Sequence, residues 1–290
     1  MGGGDADRAL RQRRVEAALP AGTLRRLAHR RARHERAGQR LGRLRAEHAR
    51  GAQGDRYVLN GSKTFVTNAP VADLFLVFAT VDHKKGHVGH HRISRRQGDA
   101  RSLDRQPAQK LRLTTSPTSE VFFEDCEIPA ECMLGRVGQG ATLFNHSMAW
   151  ERSCILGSVV GAMERELETC VEHAKTRKQF GKAIGSFQLV AGKIADMKMR
   201  LEACRLLLYR AAWAHATGSS NAMEAAMAKL MISEASVQSS LDAIQIHGGY
   251  GYMREYHVER HLRDNVGSRL YSGTSDIQRL IVARQLGLTP

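Results

Sequence analysis

The sequence predicts an α+β fold, a small antiparallel β domain followed by a helical domain. Three observations lead there: strand-like alternation with turn residues between 54 and 129, helical periodicity from Gly138 onward, and two basic, unpatterned stretches that join neither. The 290 residues suffice for one large or two ordinary domains, and 42% hydrophobic with 25% charged residues fit a chain that buries a sizeable core.

The net charge of +15 is unevenly placed. Residues 1–50 hold 14 arginines against 5 acidic groups, and residues 84–110 hold 8 basic against 2 acidic, so the rest of the chain is neutral. Segment 1–53 has no aromatic and no isoleucine, and its pairs Leu24/Leu27 and Leu41/Leu44 are too sparse for a core stripe. Segment 84–110 offers only Val88, Ile93 and Leu103 as larger apolar residues. Such text reads as a basic arm for nucleic acid or an acidic partner, as a disordered segment, or as out-of-frame translation of a GC-rich gene. The neutral body weighs against a nucleic-acid partner. His83, His87, His90 and His91 stand beside Asp82, but without a cysteine or a regular element no metal site is expected.

The β elements follow in order. Arg56–Leu59 runs into Asn60-Gly61, a hairpin signal, and continues as Lys63–Thr67. A break at Asn68-Ala69-Pro70 precedes the apolar strand Leu74–Ala79, and Glu120–Phe123 is a further strand before the turn-rich Glu124–Pro129. Residues 54–137 thus form the β domain, with 84–110 divergent, and 138–290 the helical domain. There, Ala141–Lys175 reads as one long amphipathic helix. Ser186–Thr217 is a second, with Val190, Ile194, Met197, Leu201, Cys204 and Leu208 as a packing seam. A third spans Ala222–His247 and closes at Gly248–Gly251; shorter helices lie near Val258–Asp264 and Ser275–Leu286. No run of eighteen apolar residues exists, so no membrane span is expected. The start MGGGDADRALRQRR lacks the apolar stretch of a secretory signal. Five scattered cysteines without a CxxC pair read as reduced thiols in a cytoplasm.

Six stretches in order resemble the acyl-CoA dehydrogenase family: YVLNGSKTFVTNAPVADLFLVFA, TSPTSEVFFEDCEIP, TRKQFGKAIGSFQ, AIQIHGGYGY, LRDN and LYSGTSDIQRLIVAR. The resemblance implies a helical N-terminal domain, a middle β domain and a C-terminal four-helix bundle, in a homotetramer or dimer that binds FAD. It implies α,β-desaturation of an acyl thioester, with electrons passed to an electron-transferring flavoprotein or to oxygen. The family's N-terminal helices and its flavin-contacting strand run are not recognisable in 1–53, nor its strands in 84–110. Such abrupt loss and recovery is what a compensated frameshift leaves.

Desaturation needs a base for the α-proton and an acceptor for the β-hydride, and no amino acid accepts hydride, so flavin is required. Many relatives place the base in a Tyr-Glu-Gly-Thr motif, which here reads Tyr271-Ser272-Gly273-Thr274. A branch similar to isovaleryl-CoA dehydrogenase carries it on the first bundle helix in a Glu-Arg pair, matched by Glu151-Arg152. The resemblance makes Glu151 the base, with Ser272 leaving room for it, and Arg152, Tyr271 and Ser272 substrate-side residues. Read alone, Glu151 also fits a surface helix glutamate paired with a cation.

For FAD the resemblance offers Phe65, Val66 and Thr67 against the isoalloxazine ring, and Arg177, Gln179, Phe180 and Gln188 toward a neighbouring subunit's pyrophosphate. Gln245, Gly248 and Gly249 match a close backbone approach, and Thr274 and Asp276 the start of the last helix. The stretch Asn145–Arg152 and the Tyr-Ser-Gly-Thr variant resemble dehydrogenases of carrier-protein-tethered aminoacyl groups, so an acyl or peptidyl carrier protein stands beside CoA as the substrate carrier. A reading from another class is an inactive, truncated helical scaffold without bound FAD.

Overall fold

A computed structural model describes residues 44–51, 54–72, 74–80, 90–96, 102–103, 108–136, 139–218 and 222–288. One sheet is built from β1 (Leu44–Gly51), β2 (Gly54–Thr67), β3 (Leu74–Thr80), β4 (His90–Arg96), β5 (Ser102–Leu103) and β6 (Thr118–Pro129), in the order β4-β3-β1-β2-β6-β5. All neighbours pair antiparallel except β1 with β3. Tyr57 and Leu59 on β2, Val77 and Ala79 on β3, and Val121, Phe123, Cys126 and Ile128 on β6 meet in one core. Their spacing is two, that of strands with one buried face, except for the step of three from Phe123 to Cys126, where the pairing of β2 with β6 shifts register.

Asn60-Gly61 is not a hairpin turn. It is a register shift inside the continuous strand β2. The Asn60 amide spans the ladder instead, donating to Asp125 Oδ1 at 3.1 Å and accepting from the Asp125 backbone N–H at 2.7 Å. Asp125 takes φ 44 opposite it, and so the expected turn at Glu124–Pro129 becomes the rest of β6. The reversal lies instead between β1 and β2, where Gly51 pairs with Gly54.

The two basic stretches also differ from expectation. Leu44–Gly51, inside 1–53, is a strand, and His90–Arg96, inside 84–110, pairs with the whole of β3. Ladder hydrogen bonds join backbone groups, and β4 is an edge strand, where charged residues are at home and no apolar alternation is required. His83 and His87 lie outside the described residues.

The helical part comprises α1 (Gly140–Cys154), α2 (Gly157–Thr176), α3 (Gln188–Ala216), α4 (Ala222–His247), α5 (Gly249–Tyr252), α6 (Val258–Ser268) and α7 (Ser275–Gln285), with a small hairpin, β7 (Lys178–Gln179) and β8 (Lys182–Ala183), after α2. The single helix expected over Ala141–Lys175 breaks at Ile155-Leu156. Ser153 donates back to the Ala149 carbonyl there at 2.6 Å, and Gly157 opens α2, two features that weaken helix continuity. Leu156 at the break and Val160, Met163, Leu167 and Cys170 of α2 pack with Met197, Leu201 and Cys204 of α3, Ala228, Ile232, Ala243 and Ile246 of α4, and Val258 of α6. The seam residues Val190, Ile194 and Leu208 pack against that core.

α4 is the central helix. Its buried positions are mostly Ala and Ser, small enough for close neighbours on several sides. Buried Glu166 of α2 accepts from Ser240 of α4 at 3.2 Å, and Asn265 of α6 donates to the same hydroxyl at 2.9 Å. The β domain meets the bundle where Phe78 sets its ring edge-on to Phe144 of α1 at 5.3 Å, and where Arg112 reaches Asp264 of α6 at 3.5 Å. Among the described residues, no helix is long and apolar enough to cross a membrane, and no cysteine is joined in a disulfide.

Candidate active site

Two clusters gather the residues singled out by sequence. The first forms where the last turn of α1 meets the turn between α6 and α7. Ser272 takes φ 56 and Gly273 φ 94, a left-handed pair that turns the Ser272 side chain inward. The Ser272 hydroxyl donates to Glu151 Oε1, and Ser272 is 3% exposed. Arg152 Nε donates to the Ser272 carbonyl at 3.1 Å. Burial pulls the Arg152 guanidinium below its ordinary value, and the Glu151 carboxylate beside it pushes back up. Glu151 is thus tied to a buried turn and is no freely solvated helix glutamate.

Tyr271 is half-buried against the bundle core. Thr274 caps α7, its hydroxyl accepting from the Ile277 N–H at 3.4 Å. Asp276 stays exposed, paired with Arg279 at 3.2 Å. On the sheet, a second irregularity in β2 between Lys63 and Val66 turns Phe65 outward at φ 56, leaving it 74% exposed. The Val66 side chain sits in the β core. Thr67 is half-buried and pairs with Thr118.

The second cluster lines a groove of about 380 Å³ that holds Arg177, Gln179, Phe180, Gln245, Gly248 and Gly249 together. Gln188 is exposed at the start of α3 and is not among its lining residues. The hairpin β7–β8 carries Phe180 (φ 51) and Gly181 (φ 78) at its tip, which thrusts the Phe180 ring out to 91% exposure. Arg177 ends α2 with its guanidinium 5.3 Å over the Tyr250 ring. A Cβ on Gly248 or Gly249 would meet open space, so the backbone of this loop faces the groove uncovered.

Sequence reasoning missed the groove's histidines. His173 of α2 and His247 of α4 stack at 4.2 Å, and burial, His247 and Arg177 together hold His173 below its ordinary value. His247 and Tyr250 stood inside the quoted stretch AIQIHGGYGY, but the stack joins two helix ends that no local pattern connects. Along α4, Glu234, which bonds Ser275 and Arg269 beside the first cluster, lies about fourteen residues before Gly248, roughly 21 Å at helical rise.

The family models for the acyl-CoA dehydrogenase C-terminal and middle domains match residues 138–287 and 34–126. The chain belongs to the acyl-CoA dehydrogenase family. The middle-domain match runs through 84–110 and back to residue 34, so the family's β domain extends into both basic stretches, as β1 and β4 do. The chain is 44% identical over 232 residues to an L-prolyl-[peptidyl-carrier protein] dehydrogenase of Pseudomonas fluorescens, covering 80% of this chain and 61% of that protein. It resembles the crystal structure of the prolyl acyl carrier protein oxidase AnaB, with TM-score 0.83, 44% identity, and 89% and 68% of the two chains covered. It also resembles PigA with FAD and proline, with TM-score 0.80, 45% identity, and 84% and 63% covered. The chain therefore spans about three fifths of the curated relatives it matches.

The donor set suits a dinucleotide of this kind. A guanidinium, two amides and an uncovered glycine loop line one groove, and an outward phenylalanine stands on the sheet. Gln278, absent from the sequence candidates, lies buried under the Ser272-Gly273 turn. Its signal was the stretch SDIQRL, which reads as an ordinary helix start.

Proposed function

We propose that the chain is the β domain and bundle of an FAD-dependent dehydrogenase that desaturates an aminoacyl thioester, of the prolyl type, tethered to a peptidyl carrier protein. The observation that carries this reading is the Glu151 carboxylate held by the Ser272 hydroxyl beside Arg152. Similarity to the prolyl-carrier-protein enzymes favours that carrier over CoA.

Bound FAD supplies the hydride acceptor that side chains lack. Glu151 removes the proton from the carbon next to the thioester carbonyl. The Ser272 hydroxyl fixes the direction of the carboxylate, and Arg152 holds Ser272 in place through its carbonyl. Phe65, with the Val66 backbone and Thr67, offers a flat apolar wall for a ring system. Arg177, Gln179, Gln245 and the Gly248-Gly249 backbone offer donors for a pyrophosphate and its flanking groups. In a homo-oligomer this groove serves the cofactor of a neighbouring subunit, and the exposed Phe180 suits burial there. Electrons leave to an electron-transferring flavoprotein or to oxygen. Reduced thiols and the absence of a spanning helix among the described residues fit a cytoplasmic setting.

The test is direct. Purified protein should be yellow, with flavin absorbance in the blue, and should reduce a dye with a prolyl carrier-protein thioester faster than with butyryl- or isovaleryl-CoA. Preference for a CoA ester would move the substrate to CoA. A colourless protein that takes up no FAD would favour the second reading, a helical scaffold without flavin.

A further inference from the structure

Resting on the reading of Glu151 as base, we infer that Gln278 is a positioning residue that aims Glu151 by clamping the turn that carries Ser272. Gln278 is fully buried at the start of α7. Its Nε2 donates to the Gly273 carbonyl at 2.9 Å and to the Ser272 carbonyl at 3.3 Å. Both partners are carbonyls, so the donor end of the amide is fixed by chemistry. Its Oε1 is buried without a hydrogen-bond partner. A residue kept only for packing would not bury an unanswered amide oxygen where methionine or leucine fits. The amide is there for its donor.

That donor holds an unfavourable backbone. Ser272 at φ 56 occupies a region that residues with a Cβ avoid, and Gly273 at φ 94 follows it. A Cβ on Gly273 would sit 2.7 Å from Gln278 Nε2, so the glycine also makes room for the clamp. Arg152 Nε reaches the Ser272 carbonyl from the α1 side at 3.1 Å. One carbonyl is thus held from two helices, and the Ser272 hydroxyl is left pointing at Glu151 Oε1. Without the α7 half of the clamp, Ser272 relaxes toward ordinary φ and its hydroxyl swings off the carboxylate.

The test uses the full chain loaded with FAD and a prolyl carrier-protein thioester. Gln278→Met keeps length and volume but removes the donor. It should lower kcat about tenfold or more with KM within about twofold, as expected when a transition-state interaction is lost. Ser272→Ala should cost a similar factor, and the double variant should cost no more than either alone, because both remove one contact. A crystal structure of Q278M should show the Ser272 hydroxyl off Glu151. Gln278→Glu should keep most of kcat near neutral pH, since a buried carboxyl holds its proton and still donates. It should lose activity toward alkaline pH more steeply than the parent, which makes the same test should Q278M not fold. Unchanged kcat in Q278M, or losses that multiply in the double variant, overturns the inference. Glu151→Gln run alongside separates the two readings: an active E151Q removes the base itself, whereas an inactive E151Q beside a fully active Q278M removes only the clamp.

Discussion

Glu166→Gln tests the buried polar network of the bundle through pH. Glu166 is 3% exposed between α2 and α4, and burial raises its carboxyl from the usual 4.5 to about 8, with the Ser240 hydroxyl pulling modestly the other way. Between those values the folded chain keeps a proton that the unfolded chain releases. Stability from this group is therefore fully present below about pH 4.5, falls as pH rises, and levels off above about 8. The slope is about 1.4 kcal/mol per pH unit, several kcal/mol as an upper bound across the window. Glutamine has the shape of the protonated acid and can still accept from Ser240, but it does not titrate. Urea unfolding of both proteins at pH 5.5 and 8.5 should show E166Q gaining on the parent by about 2 kcal/mol or more between the two, since other titrating groups cancel in the difference. An equal difference at both pH values would refute the reasoning about a desolvated carboxyl.

Gly251→Ala should destabilise by about 2 kcal/mol or more, read as a lowered Tm, because a Cβ there would stand 2.6 Å from the Ile244 carbonyl oxygen and 2.8 Å from its Cα, atoms that cannot step aside. Arg177→Lys should weaken FAD binding about tenfold in a flavin titration, since an ammonium lacks the planar fork, while the Tm of the flavin-free protein stays within a degree or two. Thr274→Ala removes the cap of α7 and should cost about 1 kcal/mol in urea unfolding.

How far the fold and site were legible follows from the range of each interaction. The seam Val190, Ile194, Met197, Leu201, Cys204 and Leu208 was readable because burial on α3 repeats at the helical period. The bounds of α4 followed from its flanking Gly and Asn residues and the Gly248-Gly249 break. The Asn60-Gly61 bulge was not readable, because the Asn60–Asp125 bonds that make it a bulge come from a strand 65 residues away. β1 and β4 carry little apolar alternation, so their pairing registers only in backbone ladders. In the site, the family's motif register brought Glu151 and Ser272 forward, and the two do meet. The His173–His247 stack and the Gln278 clamp join elements distant in sequence through packing, which no periodicity encodes.

The central claim is that Glu151 takes the α-proton. Anaerobic mixing of flavin-loaded Glu151→Gln protein with the prolyl carrier-protein thioester, followed by the blue absorbance of the flavin, tests it most directly. The flavin should stay bound and oxidised, at least about a thousandfold slower to bleach than in the parent. Bleaching at the parent's rate would place the base elsewhere.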